Sequence, residues 1–386
     1  MSEAAPARHA YLHVPFCARR CSYCDFAIAV RRVVPVDDYL DGIARELAWH
    51  RARDLALAPL DTVYLGGGTP SRLGGDGVAR LFDLLRRHVT IAEDAEVTLE
   101  ANPEDVTPAA VASWRASGVN RVSLGVQSFD PAVLAWMHRV HSAAQAVTAA
   151  EQLRDGGLSA LSVDLIFAVP DALVRDWRRD LDAVLTLAPD HVSVYGLTVE
   201  SATPLGRWTA RGDVTPADDD RYAREFLDAD AHFTAAGFDH YEVSNYARRD
   251  ETGAPSHRAR HNSAYWSRVP YLALGPGAHG FDGTSRWWNH SAYAHWLAAL
   301  RKGETPVEGR ERPDVDAQYA EAVYLGLRTT DGLPLDLAEP GLVAGWVTAG
   351  WAQVAPDARV RLTPEGWLRL DALAAALTSR PSRCEL

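Results

Sequence analysis

The chain has 386 residues, 47% of them hydrophobic, which is enough for two domains or for one large α/β barrel with an appendage and excludes a disordered polymer. A net charge of −12 argues against a protein that works by gripping phosphate backbones, so no nucleic-acid partner is expected. No run of about 18 apolar residues occurs, and the opening MSEAAPARHA lacks the apolar centre of a signal peptide, so the expectation is a soluble cytoplasmic protein and not an integral membrane one.

Short β-rich runs alternate with helical stretches through the first half. AYLHV (Ala10 to Val14) precedes a helical pattern from Val36 to Ala56, in which Leu40, Ile43, Ala44 and Leu47 make an i, i+3, i+4, i+7 stripe. Further β runs are TVYLG (Thr62 to Gly66), EVTLEA (Glu96 to Ala101), RVSLGV (Arg121 to Val126), ALSVDLIF (Ala160 to Phe167) and HVSVYGL (His191 to Leu197). Helical patterns fill Asp76 to His88, Pro108 to Ser117, Ala143 to Asp155 and Val174 to Leu187. Six β runs, each followed by a crossover, predict a barrel-like α/β sheet.

Beyond them lie a helix near Asp218 to Ala236, with Tyr222, Phe226, Ala229 and Phe233 on one face, and a strand FDHYEV (Phe238 to Val243). A polar loop and an aromatic, Gly-rich region to His290 carry no assignable pattern. From about Lys302 a linker leads to helices and a TPEG segment, where Thr363 can cap and Pro364 can take the first helical position. This end reads as a small domain of winged-helix character, with RVRLTPEGW as its wing and no basic excess for binding DNA.

Three of the four cysteines, Cys17, Cys21 and Cys24, form C-x3-C-x2-C on the loop leaving the first β run. Soft thiolates at this density suit zinc or an iron–sulfur cluster. A structural zinc site wants four closed ligands, and no nearby fourth Cys or His completes a familiar pair of C-x2-C arms. A cubane held by three cysteines leaves one iron open, as a catalytic metal requires. Cys384, near the C-terminus, reads as an uninvolved exposed thiol. GGGTPS (Gly66 to Ser71) ends the next β run, and its glycines allow backbone N–H groups to approach an anionic ligand closely.

The cysteine motif, preceded by Tyr11-x-His13-x-Pro15-Phe16 and followed by GGGTPS, LEANPE (Leu99 to Glu104), SLGVQSFD (Ser123 to Asp130) and DLIFAVP (Asp164 to Pro170), resembles the radical S-adenosylmethionine (SAM) enzymes. Within them it is similar to the branch that holds oxygen-independent coproporphyrinogen III oxidase (HemN) and the heme chaperone HemW. The resemblance implies a partial (β/α)6 TIM-like barrel over residues 8–300, carrying a tetrapyrrole-binding extension, and a small, mainly α-helical C-terminal domain over 301–386.

It also implies a [4Fe–4S] cluster on Cys17, Cys21 and Cys24, with SAM chelating the fourth iron. The SAM contacts carry over to Tyr11 beside the cluster, to Gly67, Gly68 and Thr69, and to Glu100, whose carboxylate suits the SAM amino group. Gln127, Arg139 and Asp164 carry over to the ribose and further polar groups. DLIFAVPDA departs from the usual DLI-x-GLPG, since Ala168 and Asp171 replace two glycines, which narrows the space expected at the barrel mouth.

Three features favour the chaperone side of the branch. The oxidase pattern has a further cysteine two places after the last ligand, whereas this chain reads Cys24-Asp25-Phe26. Only sixteen residues precede Cys17, too few for the oxidase's N-terminal arm. HNSAYW (His261 to Trp266) matches the H-N-x-x-Y motif associated with heme binding, which implies His261 as axial ligand, supported by Asn262 and Tyr265.

His279 and His290 are rival ligands, and Arg248, Arg249, Arg258 and Arg260 are candidate partners for porphyrin propionates. The implied partners are heme or porphyrin, a heme-acceptor protein, and an electron donor such as flavodoxin or ferredoxin. The alternatives are oxidative decarboxylation of coproporphyrinogen III and a radical SAM methyl transfer.

Overall fold

The structure, a computed structural model, describes residues 5–53 and 56–379. Cys384 therefore lies outside the described residues. The chain divides into two compact units: residues up to Asp218 together with Val269–Glu311, and Asp219–Arg268 together with Arg312 onward.

The first unit is built on strands β1 (Ala7–Val14), β2 (Leu57–Gly67), β3 (Ile91–Ala101), β4 (Arg121–Gln127), β5 (Ala160–Phe167) and β6 (His191–Gly196). They pair in parallel and in chain order, with Tyr11 beside Tyr64, Thr98 beside Arg121, and Gly125 beside Asp164. All six expected β runs are thus strands. The runs alternate, with Thr98, Ser123, Ser162 and Ser193 beside Leu99, Leu124, Val163 and Val194, and both sets are buried, as expected of a parallel sheet with both faces covered. Among the described residues the sheet does not close on itself, as a partial barrel requires.

The crossover helices follow their caps. Thr107 accepts from Ala110 N–H at the start of Pro108–Ala116, and Ser142 with Gln145 makes a reciprocal capping box for Ala143–Asp155. Asp176 caps Trp177–Thr186, so that helix starts at Trp177 and not at Val174. A short helix, Pro131–Trp136, capped by Asp130, lies where no periodicity marked one. Along Val36–Arg51, Leu40, Ile43 and Leu47 are buried as the stripe predicts.

The unassigned Gly-rich region resolves into a seventh parallel strand, Leu272–Leu274, on the far side of β1, and an antiparallel sheet of His279–Phe281, Arg286–Asn289 and Val307–Glu311. One buried carboxylate ties it down. Glu46 is fully buried and accepts from Gly275 N–H at 2.8 Å, Trp296 Nε1–H at 3.0 Å and Asn289 Nδ2–H at 2.5 Å.

In the second unit the helix Asp219–Ala235 buries Phe226, Ala229 and Phe233, while Tyr222 stays exposed. It precedes an antiparallel hairpin, Phe238–Glu242 with Asn245–Arg248. Helices Val315–Arg328, Pro340–Thr348 and Leu370–Thr378 surround a three-stranded sheet of Leu333–Pro334, Arg359–Leu362 and Ala352–Ala355, in that order. The RVRL segment is its central strand, and Thr363 accepts from Gly366 N–H to cap the short helix led by Pro364.

The compact units do not divide at the expected boundary of 300/301. Residues 219–268 pack with the C-terminal segment, where His240 meets Trp367 edge-on at 4.5 Å and Arg328 pairs with the buried Glu242 at 2.7 Å. Residues 269–311 belong with the first unit, through the pairing of Leu272–Leu274 with β1 and the bonds to Glu46. Contacts between distant segments decide this, and no local pattern records them. Among the described residues no helix is long and apolar enough to cross a membrane.

Candidate functional site

One cavity of about 420 Å³ opens at the carboxyl ends of the parallel strands. Cys17, Cys21 and Cys24 line it, as do Gly67, Gly68, Thr69, Glu100, Gln127, Arg139 and Asp164. Chemistry collects at this end of such folds because every strand delivers its last side chains and its loop there. Tyr11 sits behind the wall, its ring stacked on Tyr64 at 6.1 Å and its hydroxyl 3.1 Å from His13 Nδ1.

The glycine loop owes its residues to crowding. Gly67 has φ +109°, and a Cβ there would lie 2.5 Å from the His13 ring; a Cβ at Gly68 would meet the Pro15 backbone at 2.6 Å. No larger residue fits either place. Burial holds His13 neutral by pushing its pKa down to about 4, and its Nε2 donates to the Ala27 carbonyl at 2.8 Å, tying β1 to the end of the cysteine loop.

Burial dominates the acids of the site. Glu100 is pushed up to about 7 by desolvation with help from Asp164, against the Tyr64 hydroxyl at 2.8 Å and the Gly67 N–H at 3.0 Å. Asp164 is pushed up to about 6 by desolvation, opposed by hydrogen bonds from Ser123 and Ser193 and by the charges of Arg121 and Arg139. Arg139 donates to Asn102 Oδ1 at 2.6 Å and to the Gly125 carbonyl at 2.8 Å, and its Nη1 lies 3.7 Å from Cys21 Sγ. Gln127 ends β4 at φ +69°, a left-handed conformation that turns the chain into the pocket rim.

The cysteines suit a cluster better than a lone ion. Among the described residues no three His, Cys, Asp or Glu side chains are gathered tightly enough to grip one metal ion. A cubane spreads its three thiolate ligands over three irons, so its cysteines stand around a space and do not converge on a point. Donors already face two of the sulfurs: Thr69 Oγ1 lies 3.4 Å from Cys17 Sγ, and Arg139 approaches Cys21. Burial raises the Cys17 thiol and pushes Cys24 up to about 11, so loading of iron must expel protons. The buried Arg139 Nε lacks a hydrogen-bond partner, a donor left over for a ligand. The donor set fits an anionic cluster with an open position.

Sequence reasoning missed Tyr64, Asn102 and Ser123. Tyr64 bonds Glu100, Asn102 accepts from Arg139, and Ser123 donates to Asp164 at 2.9 Å. A signal existed for each, since Tyr64 and Ser123 lie within pocket-bound β runs and Asn102 follows Glu100 in LEANPE. Phe26, in the place of the oxidase's additional cysteine, lines the mouth and is 60% exposed. Ala168 is buried at φ +57°, so it keeps a glycine-like conformation while carrying a Cβ.

The heme-motif residues belong to the other unit. His261, Asn262 and Tyr265 lie on the helix Arg260–Trp266, with His261 1% exposed and its Nε2 2.8 Å from the Tyr265 hydroxyl. The Arg328 guanidinium covers Trp266 at 4.4 Å.

Two of the candidate propionate arginines already hold a carboxylate. Arg249 and Arg258 each reach Asp239 at 2.7 Å, and Arg258 also bonds Thr330 at 3.1 Å. Arg248 lies over the Phe238 ring at 4.7 Å, and Arg260 is the first residue of the motif helix. The four do not form one free cationic cradle, because Asp239, remote in sequence from Arg258, neutralises two of them. In the first unit, His279 is exposed and stacked on Trp288 at 6.0 Å, while His290 Nδ1 faces Glu308 at 3.8 Å.

Residues 11–184 match the radical SAM superfamily. The chain is 41% identical over 378 residues to the heme chaperone HemW of Mycobacterium tuberculosis, covering 95% of this chain and 94% of that one. It is 32% identical over 327 residues to the heme chaperone HemW of Bacillus subtilis, with 84% of each chain covered. The structure of coproporphyrinogen III oxidase (HemN) from Escherichia coli superposes with a TM-score of 0.81 at 21% identity, over 98% of this chain and 92% of that one.

Proposed function

The chain belongs to the HemW family of radical SAM proteins, and on that premise we propose that it is a heme chaperone, which binds heme and passes it to an acceptor protein. The observation that carries this reading is the similarity to relatives named for that role along nearly the whole chain. Cys24-Asp25-Phe26, where the oxidase pattern has a further cysteine, supports it. The likeness to the oxidase structure is one of fold.

In this reading Cys17, Cys21 and Cys24 hold a [4Fe–4S] cluster, which with SAM supplies one-electron chemistry at the sulfonium. Thr69 donates toward the Cys17 sulfur and Arg139 toward that of Cys21, which steadies their negative charge. Gly67 and Gly68 let the backbone approach SAM, and Glu100 accepts from its amino group when ionised. Gln127, Arg139 and Asp164 bind the ribose and remaining polar groups, while Tyr11 supports the wall from behind. The cluster site governs heme handover and does not run a multiple-turnover reaction. His261, Asn262 and Tyr265 form the heme site. The protein works in the cytoplasm, with a flavodoxin or ferredoxin as electron donor.

The test is anaerobic reconstitution with iron and sulfide, then a heme titration by absorbance beside a coproporphyrinogen III assay with SAM and reductant. Stoichiometric heme binding without decarboxylated product is expected. Decarboxylated porphyrinogen with 5′-deoxyadenosine would make the protein an oxidase, and a methylated product would make it a methyltransferase.

A further inference from the structure

A second cavity, of about 690 Å³, opens at the amino ends of β1 and β2, in the same unit as the cluster cavity but at the other end of the parallel strands. Three remote segments build it: the start of β1, the end of the helix Val36–Arg51, and the antiparallel sheet that holds Trp287. Catalytic groups of such folds gather at the carboxyl ends of the strands, so a cavity here suits binding.

Its wall is aromatic. His50 meets Trp49 edge-on with ring centroids 5.1 Å apart and lies 5.9 Å from Trp287, and Phe281 lines the same space. A Cβ at Gly280 would lie 2.2 Å from Trp287 Cζ2, so only glycine leaves room for that indole. Three polar atoms of the wall are buried without a hydrogen-bond partner: Trp49 Nε1, His50 Nε2 and Trp287 Nε1. His50 Nε2 stands 3.8 Å from Glu46 Oε1, beyond hydrogen-bond reach. Buried polar groups are rarely left unpaired, and an indole N–H can only donate, so both indoles suit an acceptor brought by a ligand.

The charges point the same way. Arg53 and Arg310, both exposed, border the cavity. Arg310 stands directly across from Trp287 in the antiparallel sheet, where opposed residues share a face. Arg53 donates to the Trp49 carbonyl at 3.2 Å and covers the Trp49 ring at 4.0 Å, which screens the negative end of the helix. The acid in the lining, Asp282, is tied into its own turn, where Oδ1 accepts from the N–H groups of Thr284 and Ser285 and from the Thr284 hydroxyl. A cationic ligand would meet two guanidiniums and find the Trp49 ring already covered.

We propose that this cavity binds a planar aromatic molecule bearing a carboxylate. The ring system packs on the aromatic wall, Arg53 and Arg310 meet the negative charge, and the indole N–H groups donate to the ligand's acceptors. No covalent bond forms or breaks. The site is independent of the heme-chaperone reading, whose helix Arg260–Trp266 belongs to the other unit.

The experiment titrates pyrenebutyrate, a planar aromatic carboxylate, and the neutral pyrenebutanol into the full chain, followed by calorimetry and by the indole signals in proton–nitrogen correlation spectra. Trp49→Phe and Trp287→Phe assign the two signals. The acid is expected to bind roughly tenfold tighter than the alcohol and to move both indole signals. Replacing Arg53 and Arg310 together by Gln should remove that preference and leave thermal unfolding unchanged, because both side chains are exposed.

Equal binding of acid and alcohol would overturn the proposal, and that comparison requires no variant to fold. A preference that survives the double replacement, or binding that moves neither indole signal, would overturn it by placing the ligand elsewhere on the chain. No binding of the acid would refute it and leave water as the partner of the indoles.

Discussion

Replacing Glu100 by Gln separates the affinity of the site for SAM from the stability of the fold. The carboxyl titrates at about 7, because burial disfavours its charge more than Tyr64 and Gly67 favour it. With that value its ionised fraction climbs from about one-eleventh at pH 6 to about ten-elevenths at pH 8. If only the carboxylate accepts from the SAM amino group, wild-type affinity gains about tenfold over that window, about 1.4 kcal/mol. The amino group of SAM titrates too, but identically in the Gln variant, so the ratio of the two affinities isolates Glu100.

Stability moves the opposite way. An acid whose folded pKa is raised stabilises below its unfolded pKa, and that contribution is lost as pH rises through the folded value. Between pH 5 and 8 the loss is about 2–3 kcal/mol, so Glu100→Gln should gain that much over the wild type across this range. SAM binding by equilibrium dialysis and urea unfolding, each at pH 5, 6, 7 and 8, check both halves. An affinity ratio that stays flat, or a stability difference independent of pH, would refute the reasoning.

Ala168→Gly should stabilise the protein by about 1 kcal/mol, read as a higher unfolding midpoint, because the position is left-handed and a Cβ is costly there. Thr69→Val keeps the side-chain shape but removes the donor to Cys17; the cluster midpoint potential should fall in a reductive titration, and Thr69→Ser should restore it. Glu46→Ala leaves buried N–H groups of Gly275, Asn289 and Trp296 without their acceptor, and denaturant unfolding should show a loss of about 3 kcal/mol or more.

The parallel strands were legible because short runs rich in β-branched and apolar residues, such as ALSVDLIF, recur between helical patterns. Leu272–Leu274 was not, since three residues among glycines carry no period. The cysteines and the glycine loop could be read directly, because their chemistry and crowding admit few other residues. Tyr64 and Ser123 act by touching acids on neighbouring strands, which depends on register between segments far apart in the chain. The arginines misled for the same reason: Asp239, which neutralises Arg249 and Arg258, gives no local sign of doing so. The interleaving of the two units is likewise set by distant pairings, such as Ala10 with Leu272.

That pairing imposes an order of assembly during synthesis. β1 is translated early, but the strand Leu272–Leu274 that covers one of its edges is made more than two hundred residues later. At about 5–20 residues per second, the ribosome leaves that edge without its final neighbour for on the order of tens of seconds. An uncovered parallel edge is a template for pairing with other chains. Throughout that interval the nascent chain is exposed to aggregation at this edge, and a chain truncated just before Val269 would be held there permanently.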